Sequence, residues 1–214
     1  MRHGLLGGTF DPIHVGHLDV AEAARGALDL ETITLLPAPA PPHRGAPRAS
    51  AAHRFAMAAL AAQSVEYLRL SDVEFDSPGP SYTNTTLDRL AARGLDTTTL
   101  FFIIGADAFG DIASWMNFPA VLDRCHFVVI SRPGLAASSM RDMLPALSHR
   151  MFDAPCTTPA EPCIFLVDAP TSPVSSTEIR ERLSKGRSVA GLVPPAVEAY
   201  IEKHALYQPP TGAA

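Results

Sequence analysis

The chain reads as an α/β protein: a doubly wound parallel sheet with helices on both faces and a small helical portion at the C-terminus. Three observations predict this. Short apolar runs alternate with longer alanine-rich or amphipathic stretches, a spacing that suits parallel strands joined by helical crossovers. The first apolar run ends in a glycine-rich corner, Gly7-Gly8-Thr9-Phe10-Asp11-Pro12-Ile13-His14-Val15-Gly16-His17. Chemically distinctive loops follow strands, and open α/β sheets bind ligands at the carboxyl ends of their strands.

Residues His3 to Gly8 form a buried strand, and Gly7-Gly8 lets a backbone without side chains approach a ligand closely. Asp11-Pro12 marks a turn. The next helix, from about His14 to Leu28, opens with unpaired N–H groups and the positive end of its dipole, which favour an anion. His14 and His17 project from neighbouring positions at that end. Two imidazoles beside a polyphosphate donate hydrogen bonds, and they gain charge where the anion raises their pKa. A zinc site on this pair lacks a third ligand at a usual spacing, so no metal site is expected here.

Thr32 to Leu36 is the second strand. The loop Pro37 to Ala49 carries five prolines and holds Pro41-Pro42-His43-Arg44-Gly45, so it reads as a stiff surface segment. His53 and Arg54 open another helix, and Tyr67 to Leu70 and Leu100 to Ile104 are further strands. Gly105-Ala106-Asp107 then puts a carboxylate where it can accept from ribose hydroxyls or cap the following helix. Trp115, the single tryptophan, can stack on a heteroaromatic ligand or pack in the core. Phe127 to Ile130 and Ile164 to Val167 complete the strands, and Ala154 to Pro162 reads as a surface insertion.

Ser175-Ser176-Thr177-Glu178-Ile179-Arg180 has the form of a capping box, with Ser175 at the N-cap and Glu178 three residues later. The arrangement serves as a plain helix start, or its hydroxyls, helix terminus and Arg180 hold a triphosphate. Residues 1–207 read as one domain and 208–214 as a frayed tail.

At 47% hydrophobic and 18% charged, the composition is that of an ordinary globular protein. Neither an apolar leader nor a run near the ~20 apolar residues of a membrane span is visible, so a cytoplasmic protein is expected. A net charge of -5 argues against a broad nucleic-acid surface, while small basic clusters suit a small anionic ligand. Cys125, Cys156 and Cys163 are too few and too irregularly spaced for a disulfide framework or a cysteine-based zinc site. The sequence has no G-x-x-x-x-G-K-[ST] loop, no G-x-G-x-x-G after the first strand and no G-x-S-x-G elbow, which removes the main support for P-loop, hydride-transfer and esterase chemistry.

Gly7 to His17 together with Ser175 to Arg180 resembles the nucleotidyltransferase superfamily, with its (H/T)xGH and SSTxIR-like signatures. Further landmarks are similar to the bacterial nicotinate-nucleotide adenylyltransferases: the loop Pro41 to Arg44, His53-Arg54 with Met57, Pro80-Ser81-Tyr82-Thr83, Ile104 to Asp107 with Trp115, Arg132-Pro133-Gly134, and Tyr200-Ile201 with Leu206-Tyr207. They span nearly the whole chain in the family's order. Arg44 stands where the family usually has lysine, Ser77 near a position that is often basic, and Thr85 where an acid is common.

The resemblance implies a Rossmann-like sheet and adenylyl transfer from ATP to nicotinate mononucleotide, giving nicotinate adenine dinucleotide and pyrophosphate, with Mg²⁺ bound through ATP. It places His14 and His17 at the ATP phosphates, His17 nearest the α-phosphate, with Gly7, Gly8, Thr9 and Phe10 in the same cradle. Ser175 opens the helix from which Ser176, Thr177 and Arg180 hold the β- and γ-phosphates. Gly105 and Asp107 meet the ribose, Arg44 and His43 approach the reacting phosphates, and Trp115, Tyr82 and Thr83 form the nicotinate pocket.

Amide-preferring nicotinamide-mononucleotide and pantetheine-phosphate adenylyltransferases share much of this pattern. From other classes, a class I aminoacyl-tRNA synthetase-like protein and an inactive nucleotide-binding module remain as rivals, as do monomer and homodimer.

Overall fold

The computed structural model describes residues 2–41, 45–75, 79–156 and 159–208. Seven strands occur among them: β1 (His3–Gly8), β2 (Thr32–Pro37), β3 (Leu68–Leu70), β4 (Leu100–Gly105), β5 (His126–Ile130), β6 (Met151–Asp153) and β7 (Ile164–Val167). They form one sheet in the order β3-β2-β1-β4-β5-β7-β6, with every pairing parallel. The α-helices are α1 (Val15–Leu28), α2 (Ala51–Gln63), α3 (Thr83–Ala92), α4 (Ala106–Phe109), α5 (Met140–Met143), α6 (Ser176–Ser184) and α7 (Pro195–Lys203).

Alternation along the strands builds a core on each face. Leu6, Phe101, Ile103, Val128 and Ile130 pack with buried residues of α1, α2, α6 and α7 on one face. Their neighbours Leu5, Phe102, Ile104, Phe127 and Val129 pack with residues of α3, α4 and α5 on the other. The predicted sheet with helices on both faces is therefore present.

Strand order locates the crevice. The chain runs outward from β1 through β2 to β3, then crosses back to place β4 on the other side of β1. Loops leaving β1 and β4 consequently diverge, opening a cleft at their carboxyl ends.

Some boundaries differ from the sequence reading. The first helix begins at Val15, with His14 as its extended N-cap rather than its first helical residue. Gly105, not Asp107, caps α4, leaving Asp107 in the first turn. The sequence analysis missed β6: it has only three residues, of which Met151 alone is buried.

Candidate active site

At the end of β1 the chain turns sharply, and Phe10 adopts a left-handed backbone (φ 50°) with its ring buried. A Cβ on Gly8 would lie 2.7 Å from that ring, so glycine is required for Phe10 to pack. The space beside Gly7 and Gly8, expected from sequence to admit a ligand, is occupied by the rings of Phe102 and Phe10.

The Phe10 ring also meets the His17 ring in a T-shaped contact, 5.0 Å between centroids. His17 in turn stacks on His14 at 3.7 Å, and its Nδ1 accepts the His14 backbone N–H at 3.2 Å. The two imidazoles thus sit together at the start of α1, whose first turn contains no acid to neutralise the helix terminus. His14 is buried, and this desolvation pushes its pKa down to about 4; Arg132 lowers it further and Asp19 opposes. The unliganded His14 is therefore neutral at pH 7.

Asp11 joins distant parts of the chain. Its Oδ2 accepts from the Arg48 N–H at 2.8 Å, and its Oδ1 accepts from the Ala49 N–H at 3.0 Å and the Tyr207 hydroxyl at 2.8 Å. The Asp11 carbonyl accepts from Arg180 NH1 at 2.8 Å. One residue on, the Pro12 carbonyl accepts from the Ser176 hydroxyl at 2.9 Å. These bonds bring the start of α6 against the loop after β1. Ser175 caps α6 as expected, its Oγ accepting the Glu178 N–H at 3.1 Å, and Thr177 Oγ1 accepts from Arg180 NH2 at 3.1 Å.

Arg54 ties the same loop to the next one. Only 1% exposed, it donates to the carbonyls of Thr9 (2.7 Å), Ala38 (2.5 Å), Pro39 (2.9 Å) and Ala49 (3.2 Å). Burial lowers its pKa, while Asp11 and Tyr207 act to raise it.

Across the cleft, Gly105 ends β4, and a Cβ there would lie 2.5 Å from Asp107 Oδ1 and 3.1 Å from the Arg132 side chain. The exposed Asp107 carboxylate stands 3.8 Å from Arg132 Nε at the end of β5. Ser131 and the 137–138 backbone fix that loop through Asp168, whose Oδ1 accepts from the Ser131 hydroxyl at 2.7 Å and the Ala137 N–H at 2.7 Å.

Trp115 is half-buried, meeting Phe102 and Phe127 edge-on at 6.2 Å and 6.5 Å. Its contacts with the two phenylalanines bear out the core-packing reading, and the rest of the ring is accessible. Tyr82 is the N-cap of α3 and Thr83 its first residue. Asn117 Nδ2 donates to Asn84 Oδ1 at 3.4 Å, which keeps the Trp115 segment beside that helix start.

His43 and Arg44, expected near the reacting phosphates, lie outside the described residues, as does Ser77. Four residues of this region were missed as site residues by sequence reasoning: Asp11, Arg54, Arg132 and Tyr207. Arg132 had a readable signal, a cation two residues beyond the end of a strand. Asp11 looked like a turn residue, and nothing local points Tyr207 toward it.

A cavity of about 550 Å³ lies at the opposite end of the sheet, beside the starts of β5, β6 and β7. Its Arg150 already donates to Asp123, the Leu122 carbonyl and the Pro162 carbonyl, so it offers little to a ligand.

The family model for cytidylyltransferase-like proteins matches residues 5–182. A probable nicotinate-nucleotide adenylyltransferase of Roseiflexus sp. (strain RS-1) is 41% identical over 208 residues, 96% of this chain and 97% of that one. Another from Pseudomonas aeruginosa (strain UCBPP-PA14) is 42% identical over 212 residues, 98% of each. Among solved structures, the Plasmodium falciparum nicotinic acid mononucleotide adenylyltransferase complexed with NaAD matches with a TM-score of 0.73 at 20% identity, covering 96% of this chain and 97% of that chain. At that identity the likeness bears on the fold.

Proposed function

The chain belongs to the cytidylyltransferase-like family and, within it, to the nicotinate-nucleotide adenylyltransferases, and on that premise we propose a division of labour among its residues. Its activity is adenylyl transfer from ATP to nicotinate mononucleotide, releasing pyrophosphate, a step of NAD synthesis. One observation carries the residue assignment. The His14–His17 pair, the start of α6 with Arg180, and Arg132 converge at the carboxyl ends of β1, β4 and β5.

The mononucleotide phosphate forms a bond to the α-phosphorus of ATP while the bond from that phosphorus to the bridging oxygen breaks. Pyrophosphate departs in line, without a covalent protein intermediate. Because a phosphate is already ionised, the protein needs no strong base; it must align two polyanions and stabilise charge on the departing group. His17 donates from Nε2 to the α-phosphate, with the neutral His14 beside it. Gly7, Gly8, Thr9 and Phe10 contribute the backbone of the cradle. Ser176, Thr177 and Arg180 hold the β- and γ-phosphates, with Ser175 capping their helix. Gly105 and Asp107 meet the adenosine ribose, and Arg132 adds a cation on the same side. Trp115, Tyr82 and Thr83 receive the nicotinate ring. Arg44 and His43 retain their proposed place near the reacting phosphates on the family pattern alone.

Mg²⁺ arrives with ATP in this proposal and neutralises polyphosphate charge. Among the described residues no three His, Cys, Asp or Glu side chains converge to hold a metal ion.

We place the site within a single domain, residues 1–207, on one chain, an arrangement that a monomer or a homodimer accommodates. No helix among the described residues is long and apolar enough to cross a membrane. We place the enzyme in the cytoplasm, and an enzyme that binds no nucleic acid is in keeping with the net charge of -5.

Pyrophosphate release from ATP, measured in parallel with nicotinate mononucleotide, nicotinamide mononucleotide, phosphopantetheine and amino acids, tests the reading. Turnover is expected to be fastest with nicotinate mononucleotide. Faster release with any other acceptor overturns it.

A further inference from the structure

We infer that Tyr207 is a positioning residue for adenylyl transfer, acting through the Asp11 carboxylate on Arg180. The inference rests on the function proposed above. Tyr207 is 8% exposed and donates its hydroxyl to Asp11 Oδ1 at 2.8 Å, across 196 residues of sequence. Its left-handed backbone (φ 65°) and the Leu206 N–H bond to the Ile201 carbonyl turn the chain back after α7. Burial and the adjacent Asp11 raise the pKa of the Tyr207 phenol, so it remains a donor at every working pH.

Arg180 faces a choice between two acceptors on one residue. Its NH1 bonds the Asp11 carbonyl at 2.8 Å but stands 3.8 Å from Asp11 Oδ2. The carboxylate is kept from closing on the guanidinium by donors on both its oxygens: the Arg48 N–H on Oδ2, and the Ala49 N–H and the Tyr207 hydroxyl on Oδ1. Tyr207 is the side chain in that set. Without its hydroxyl, the carboxylate rotates toward Arg180, and a tighter ion pair draws the guanidinium away from the polyphosphate. Only the aim of Arg180 changes, and the substrate pockets keep their residues.

Tyr207→Phe removes one oxygen and keeps the buried ring. It is expected to lower kcat on the order of tenfold, as expected for a displaced binding group, with KM for nicotinate mononucleotide within about twofold of wild type. Tyr200→Phe is the control. It deletes a comparable hydroxyl contact, 3.0 Å to His53 Nδ1, and should leave kcat unchanged. In an Arg180→Ala background Tyr207→Phe should have no further effect, whereas a purely structural role would persist there. If Tyr207→Phe does not fold alone, it is read in an Asp11→Asn background, where no carboxylate remains to draw Arg180 aside and adding Tyr207→Phe should leave kcat at the value of Asp11→Asn.

Wild-type kcat in Tyr207→Phe, or an undiminished loss in the Arg180→Ala background, overturns the inference; where Tyr207→Phe folds only with Asp11→Asn, a further fall in kcat below that of Asp11→Asn does so. A wild-type enzyme that fails to turn over ATP with nicotinate mononucleotide overturns the underlying function as well, and is told apart because the failure precedes any substitution.

Discussion

His17 Nδ1 accepts the backbone N–H of His14 at 3.2 Å. Since that donor has only one role to play, Nδ1 must be unprotonated, and the ring carries its proton on Nε2. The helix start thus selects the tautomer that can donate to a phosphate.

His17→Ala should lower kcat far more than it weakens ATP binding, because the donor serves charge that shifts during transfer. Loss of one such donor costs on the order of 10²–10³ in kcat. Steady-state kinetics with ATP titration check this, and a wild-type kcat refutes the assigned role.

Arg180→Ala should raise KM for ATP and slow transfer, since the residue both faces the proposed phosphates and bonds the Asp11 carbonyl. Arg180→Lys restores only part of either, because a lysine cannot reproduce two N–H bonds in a fixed plane. Equal kinetics in alanine and wild type would leave α6 a merely structural contact with the loop.

His14 predicts a pH window for stability. Its folded pKa of about 4 is below its ordinary 6.5, so below pH 6.5 the unfolded chain binds the extra proton first. Stability from the neutral buried ring is complete above pH 6.5 and is lost as pH falls through 4, by on the order of 3 kcal/mol. Urea midpoints measured from pH 7.5 to 4 should decline in wild type, with the part due to this residue absent in His14→Gln. Parallel declines in the two proteins would show that His14 is not responsible.

The acid mononucleotide should be favoured over the amide. The Tyr82 N-cap of α3 makes no side-chain cap bond, and the first turn has no acid, leaving a terminus suited to a carboxylate beside the half-buried Trp115. An amide presents a donor where an acceptor is wanted, at a cost of about 1–3 kcal/mol, or roughly 5- to 150-fold in kcat/KM. Trp115→Ala should raise KM for the mononucleotide while leaving that for ATP nearly unchanged. Competing kcat/KM measurements on the two mononucleotides decide the preference.

The sequence by itself determined the sheet, the strand positions to within a residue or two, the two histidines on one helix start and the capped start of α6. These are local properties: periodicity, turn chemistry and capping act over a few residues, and β6 escaped only because three residues hold too little pattern. Tertiary structure alone decided what the loops do to one another. Gly8 looked like an opening for ligand and instead makes room for Phe10, because a left-handed residue two positions on folds its ring back over it. Asp11 looked like a turn and instead receives the ends of segments 37 to 196 residues away. Arg54 looked like a basic helix start and is a buried clamp on four carbonyls. Hydrogen bonds of this kind satisfy backbone groups that become buried only once the loops meet, and a linear pattern holds no trace of which loops those are.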